Sequence, residues 1–237
     1  MERLLLIETS SALCSVALAE DGVITASRLS EVPRDHAART APFVQEVLEE
    51  RGLRVKDCAA VCVGRGPGSY TGLRVGVSTA KGLCFGAGIP LLSVSTSEIL
   101  FRQALEERLL PEGCRTVITM VDARRMEVYA ARYTPEGEIL SPDAPVVVTA
   151  DSFREDLERG PVLFIGDGAE KCREILRAGH FAARFPRAEA MLKPALDAFR
   201  AGHFEDVAYF EPDYLKEFQA TVSHKNLFLH PDKNSEK

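Results

Sequence analysis

The sequence predicts an α/β protein built from two similar lobes. Three observations carry this prediction. Short apolar runs of strand length alternate with longer stretches of helical periodicity. That alternation starts afresh after Pro111-Glu112-Gly113, a strong chain breaker. Finally, a strand, acidic turn, strand, glycine turn, strand pattern at Leu4–Leu29 recurs at Thr116–Leu140, with Glu8 matching Asp122 and Gly22 matching Gly137. A chain of 237 residues has room for a core in each lobe.

Leu4–Ile7 is a continuous apolar run, as buried strands are, and Glu8-Thr9-Ser10-Ser11 is a polar turn. Cys14–Ala19 forms the second strand, Asp21-Gly22 the hairpin signal and Val23–Leu29 the third strand. From Asp35 to Arg51 the pattern turns helical. Phe43, Val44, Val47 and Leu48 make one apolar face, with Asp35 as N-cap and Gly52 as C-terminal cap. Ala59–Val63 is a buried strand running into Gly64–Gly72, followed by a helix from about Thr71 to Phe85. Leu91–Val94 is the next strand, and Thr96 caps a helix reaching Leu109. Such alternation implies parallel pairing with right-handed crossovers.

In the second lobe Thr116–Val121, Met126–Tyr133 and Glu138–Leu140 repeat the meander, and Val146–Val148 follows. A helix near Ser152–Glu158 precedes the buried strand Val162–Ile165 and the turn Gly166-Asp167-Gly168; Ala188–Ala201 is a further helix. The expected division is 1–110 for the first lobe and 111–215 for the second. Residues 216–237 form a closing segment that returns to the first lobe and frays beyond His230.

The net charge is −6, and no stretch interleaves basic residues with aromatics. Alone, such a chain binds nucleic acid poorly, so RNA enters only beside a subunit that carries positive surface. The first apolar run is interrupted at Glu8, which excludes a signal peptide or membrane span there. The six cysteines make no C-x-x-C pair, and most lie in apolar runs. They read as reduced, buried side chains of a cytoplasmic protein, and no cysteine or histidine pair has metal-ligand spacing.

Gly64–Gly72 concentrates glycine and proline between a strand and a helix N-terminus. That geometry can present free N–H groups to an anion, or it can be only a turn. Neither the Walker lysine nor G-x-G-x-x-G with its downstream acid is present. In the helix that follows, Gly72, Gly76 and Ala80 recur every four residues, with Gly82 and Gly86 on another face. These small residues fit close packing on the chain's own sheet, or a helix contact between subunits, in which case Gly76→Leu disrupts pairing more than folding. Glu8-Thr9-Ser10 fits a hydrogen-bonded turn, or a phosphate or nucleophile site. Ser10 and Ser69 have no histidine and aspartate framework for a triad. His36, without a second histidine four residues on, reads as a solvated or capping side chain. Asp122–Glu127 reads as an ion-paired turn or a ligand-facing one.

Ile7-Glu8-Thr9-Ser10, Gly66-Pro67-Gly68-Ser69-Tyr70-Thr71-Gly72-Leu73-Arg74, Asp122-Ala123-Arg124-Arg125-Met126-Glu127-Val128-Tyr129 and Tyr214-Leu215-Lys216 together resemble the TsaB (YeaZ) family over nearly the whole chain. The resemblance implies an actin-like, ribonuclease-H-like (ASKHA) fold of two lobes with duplicated mixed sheets. It implies a non-catalytic partner of the TsaD-type threonylcarbamoyl transferase, which forms threonylcarbamoyladenosine (t6A) in tRNA at the adenosine 3′ of the anticodon. A TsaE-like ATPase is the usual third partner, and the chain self-pairs as a homodimer when alone. ATP and metal are implied for the partner subunits, and no cofactor for this chain. The H-x-x-x-H pair of TsaD is missing here, against the alternative of a stand-alone ATPase or peptidase-like enzyme. Carried over from the family, the interface is Gly72, Leu73, Gly76, Val77, Thr79, Ala80 and Leu83, with Phe43 and Val47 of the preceding helix. Glu8, Thr9, Ser10, Gly68 and Ser69 are the positions that would face a nucleotide phosphate.

Overall fold

The computed structural model describes residues 2–30 and 32–216. The first sheet contains β1 (Arg3–Glu8), β2 (Ser15–Glu20), β3 (Val23–Leu29), β4 (Ala60–Gly66) and β5 (Leu91–Ser95), in the order β3-β2-β1-β4-β5. β1 runs antiparallel to β2 and parallel to β4, and β4 parallel to β5. The second sheet contains β6 (Thr116–Asp122), β7 (Glu127–Tyr133), β8 (Ile139–Val147), β9 (Val162–Ile165) and β10 (His180–Ala182). Taken from β8, its order is β8-β7-β6-β9-β10, with the same strand directions as the first. This is a duplicated ribonuclease-H-like unit, the actin-like class. Glu8 and Asp122 each hold the last paired register of their hairpin, against Ser15 and Val128. Gly22 and Gly137 both turn with positive φ.

The apolar runs of the central strands are continuous because both sheet faces are covered. Leu5 and Ile7 point to one side, where α1 (His36–Glu49) and α2 (Tyr70–Ala87) bring Phe43, Val44, Val47, Val77, Ala80 and Cys84. Leu4 and Leu6 point to the other, where a 3-10 turn at Ala188–Met191 and the helix α6 (Leu192–Ala201) bring Met191, Ala195 and Leu196. In chain order the remaining helices are α3 (Thr96–Glu106), α4 (Arg154–Arg159), α5 (Ala169–Leu176) and α6 (Leu192–Ala201). α3 lies between the lobes: Ile99 packs in the core of the first sheet, and Phe101 and Ala104 in that of the second. The Phe101 ring stacks on Tyr133 at 4.7 Å. Ala169, Cys172 and Leu176 of α5 cover the far face of the second sheet.

The structure departs from the sequence reading in several places. α3 is capped by Ser95, whose Oγ accepts from the Glu98 N–H at 3.1 Å, and Thr96 is already helical. The two short segments expected at Glu138–Leu140 and Val146–Val148 lie on one nine-residue strand, β8, apart from Glu138 and Val148. It tolerates Pro142 and Pro145 because it is a sheet edge. The helix expected over Ala188–Ala201 splits into the 3-10 turn and α6. α5 and β10 were not anticipated; both are short and half-polar.

The second lobe ends earlier than the expected boundary at 215. Residues beyond Arg187 return to the first sheet, because Leu4, Leu6 and Ala17 need an apolar cover that α6 supplies. The chain then follows the sheet edge and α2. Glu205 N–H donates to Leu91 O at 2.8 Å, Lys81 Nζ to Ala208 O and Phe210 O, and Asp213 N–H to Arg65 O at 2.8 Å. Of the closing segment 216–237, only Lys216 is among the described residues, and it pairs with Glu127 of β7. The expected return and fraying of that segment fall outside them. All six cysteines are free, five of them buried and Cys114 half-buried. Among the described residues, no helix is long and apolar enough to cross a membrane.

Candidate functional site

The end of β1 and the turn that follows it hold the buried residues Glu8, Thr9, Ser10 and Ser11. Four glycines spaced four apart form the seat that receives them. A Cβ on Gly64 would fall 2.1 Å from Glu8 Oε2, and one on Gly68 would fall 2.2 Å from Ser10 O. On Gly72 it would fall 2.2 Å from Thr9 O, and on Gly76 2.1 Å from Thr9 Oγ1. Real Cβ atoms do not come within 3.0 Å of such neighbours: at Gly68 and Gly72 the neighbour is backbone, so the close approach requires glycine, whereas at Gly64 and Gly76 it is a side-chain oxygen of Glu8 or Thr9 that would have to shift. Ser69 joins the two parts: its N–H donates to Ser10 O at 2.6 Å, and its Oγ accepts from the Gly72 N–H at 3.3 Å to cap α2.

The Glu8 carboxyl is fully buried. One oxygen accepts from the Ser10 N–H at 2.5 Å, while Glu8 Oε2, Thr9 Oγ1 and Ser10 Oγ have no hydrogen-bond partner among the described residues. Burial pushes the Glu8 carboxyl up to about 7, against its bonds to Ser10 and Thr9, and the nearby Asp167 charge adds to the rise. Asp167, in the turn after β9, is pushed up to about 6, again mainly by burial and despite accepting from the Asp122 N–H at 2.9 Å. The two acids belong to different lobes and lie within electrostatic reach of each other. Among the described residues, no group of three acidic, histidine or cysteine side chains could hold a metal ion.

The corresponding exit of the second lobe is open. Asp122 is exposed, and Lys171 of α5 donates to its carboxylate, to Arg125 O at 2.8 Å and to Glu127 O at 2.7 Å. Asp122–Glu127 is therefore an ion-paired turn at its base. His36 is buried rather than solvated, and its ring nitrogen bonds Ser11 O at 3.0 Å.

The protein-family model described as "TsaD: tRNA N6-adenosine threonylcarbamoyltransferase" matches residues 30–229. The chain is 33% identical to "tRNA threonylcarbamoyladenosine biosynthesis protein TsaB" of Escherichia coli over 90% of its own length and 94% of that protein. The chain belongs to the TsaB (YeaZ) family. A protein of the same description from Bacillus subtilis is 29% identical over 90% of this chain and 93% of its own. The solved YeaZ of Pseudomonas aeruginosa superposes with a TM-score of 0.79 at 30% identity, covering 91% of this chain and all of that one.

For this member of the TsaB family the expected interface residues divide sharply. Leu73, Val77, Ala80, Phe43 and Val47 are buried in the chain's own core. Gly72 and Gly76 face Thr9 rather than a second molecule. Thr79 and Leu83 alone of the nine are half-exposed. The outward surface of α2 is instead Tyr70, Thr71, Arg74, Ser78, Gly82, Phe85 and Gly86, with Phe85 86% exposed and open space beside both glycines. Ala38, Ala41 and Pro42 of α1 are exposed as well. Of the positions expected to face a phosphate, Glu8, Thr9 and Ser10 are sealed and Gly68 backs Ser10, leaving only Ser69 exposed. The signal for the outward face was available: Leu73, Val77, Ala80 and Cys84 mark the inward stripe, and Phe85 stands outside it.

Proposed function

We propose that this chain is the accessory subunit of the assembly that makes t6A in tRNA, and that it docks a TsaD-type catalytic subunit on the outward face of α1 and of the C-terminal half of α2, around Phe85. The observation that carries the docking surface is Phe85, a large apolar side chain left almost fully exposed on a well-packed helix. The accessory role rests on the sealed β1 exit. Ser10 and Glu8, the residues a phosphoryl or acyl transfer would need, are 1% and 0% exposed and packed under four glycines. No substrate reaches them without unseating α2.

On this reading a TsaE-like ATPase joins the pair and tRNA is met only through the complex. Two copies cover the same apolar face as a homodimer when the partner is absent. ATP and metal belong to the other subunits, and the assembly works in the cytoplasm.

The test is co-purification of this chain with its TsaD-type partner, followed by size-exclusion chromatography and a t6A assay with the full set of subunits. Phe85→Glu is expected to leave the fold intact and remove the partner. Turnover of ATP or peptide by this chain alone, lost in Glu8→Gln, would overturn the accessory reading.

A further inference from the structure

No basic stripe with interleaved aromatics exists in the sequence, yet the fold assembles one from four separate elements. At the start of α2, the Arg74 guanidinium lies 4.5 Å from the Tyr70 ring centroid and donates to the Tyr214 hydroxyl at 3.4 Å. The Tyr70 and Tyr214 rings are 5.1 Å apart. Two residues further, Lys216 lies 5.6 Å from the ring centroid of Tyr129 on β7. Tyr129 in turn lies within electrostatic reach of Arg124, in the turn between β6 and β7.

The turn is unusual in itself. Arg124 and Arg125 hold φ of +68° and +50°, a region that L side chains rarely adopt and that Asn-Gly would fill without strain. It is nonetheless rigidly held, by Lys171 on Asp122, Arg125 O and Glu127 O, and by the Arg124 N–H on Asp122 Oδ1 at 2.8 Å. Both guanidinium groups are exposed and have no hydrogen bond or ion pair among the described residues. Acids near the strip are already engaged: Glu127 with Lys216, and Asp213 with Arg65 at 3.0 Å. Glu211, within electrostatic reach of Arg74, is the exception. The strip therefore offers cations at both ends and tyrosine rings between them.

We propose that Arg124, Arg125, Tyr129, Lys216, Tyr214 and Arg74 form a contact surface for a single-stranded segment of RNA. Tyrosine faces accept any base, and guanidinium forks suit phosphate oxygens. A net charge of −6 prevents general affinity, so the strip acts on RNA that the catalytic subunit already holds. This inference rests on the accessory reading above.

The test uses the reconstituted assembly of this chain with its TsaD-type and TsaE-like partners, and its tRNA. The double variant R124N/R125G removes both guanidiniums while suiting the positive φ of the turn, so it folds at least as well as the parent. Assembly is expected to elute unchanged. The Kd for tRNA should rise roughly tenfold near 100 mM salt, and the slope of log K against log salt should shrink by about 1–2. Tyr214→Leu should weaken binding several-fold with the slope unchanged, since it removes stacking rather than charge. Unaltered tRNA affinity in an intact assembly would overturn the proposal. So would loss of a protein partner from R124N/R125G, which would make the strip a protein interface. If the unmodified chain itself forms no assembly, the accessory reading fails and this inference falls with it.

Discussion

Gly76→Ala separates a glycine that seats the β1 exit from one that seats a partner. Its new Cβ would fall 2.1 Å from Thr9 Oγ1 and 3.3 Å from both Thr9 Cβ and Cγ2, so Thr9 or the helix must move by about 1 Å to restore normal contact. Thr9 is fully buried and β-branched, and has little freedom to turn aside. Overpacking of this kind costs about 1–3 kcal/mol. Against it stands the gain of about 1 kcal/mol that alanine brings over glycine in a helix. Gly82→Ala is the control, since it lies on the same helix with nothing within 4 Å. Both variants share the propensity gain, so their difference isolates the packing cost. At roughly 2–4 °C per kcal/mol for a chain of this size, thermal unfolding resolves it, and urea titration checks it. Thr9→Ala in the Gly76→Ala background should recover part of the loss, because Thr9 Oγ1 has no hydrogen bond among the described residues to forfeit. Equal stability of Gly76→Ala and Gly82→Ala, or no recovery, would refute the seat. By the same geometry Gly76→Leu should cost folded protein before it costs pairing, the reverse of what the small-residue spacing suggests.

Glu8 titrates near 4.5 when unfolded and near 7 when folded, so the folded chain holds an extra proton between those values. Stability is therefore full below about pH 4.5 and falls as pH rises through 7, with Asp167 acting alike between its ordinary value of 3.8 and about 6. Glu8→Gln should be more stable than the parent at pH 8, by on the order of 3 kcal/mol at 1.36 kcal/mol per pK unit. The gain should vanish near pH 4.5; parallel urea-midpoint curves for the two proteins would count against it. Ser95→Ala should cost about 1 kcal/mol through the lost cap of α3, seen as a lower urea midpoint with unchanged slope. No change would mean that the neighbouring Thr96 or water replaces the cap.

The fold was legible where local pattern and long-range packing agree. Leu4–Ile7 and Val162–Ile165 are continuous apolar runs because each sheet is covered on both faces, and that signature is local. The repeat was legible for a similar reason: hairpin turns at Gly22 and Gly137 need positive φ in both lobes. α5 was not legible, since only eight residues, half of them charged, carry the short stripe Ala169, Cys172 and Leu176. The purpose of Gly64, Gly68, Gly72 and Gly76 was also hidden. Their spacing is visible in the sequence, but the atoms they admit lie some sixty residues away on β1, and small residues look the same under either kind of close approach. The strip from Arg74 to Arg125 was hidden more completely, because β7, α2, the β6–β7 turn and the returning chain each contribute only part of it.

The two halves share one topology but have taken opposite courses at the same point. In the first, the strand exit is a buried carboxyl and two buried hydroxyls pressed beneath four glycines. In the second, it is an exposed carboxylate in a turn that spends backbone strain to hold two arginines outward. An exit that performed transfer chemistry would have to admit a substrate, and the first cannot while α2 stays seated. What the seat does supply is contact: Thr9 and Ser10 pack under α2, Ser69 N–H donates to Ser10 O at 2.6 Å, and Phe85 stands out from the same helix into solvent. A helix seated in this way is preorganised for a partner and loses little entropy on docking. Burial of the first exit and presentation of the helix that buries it are thus one and the same packing arrangement.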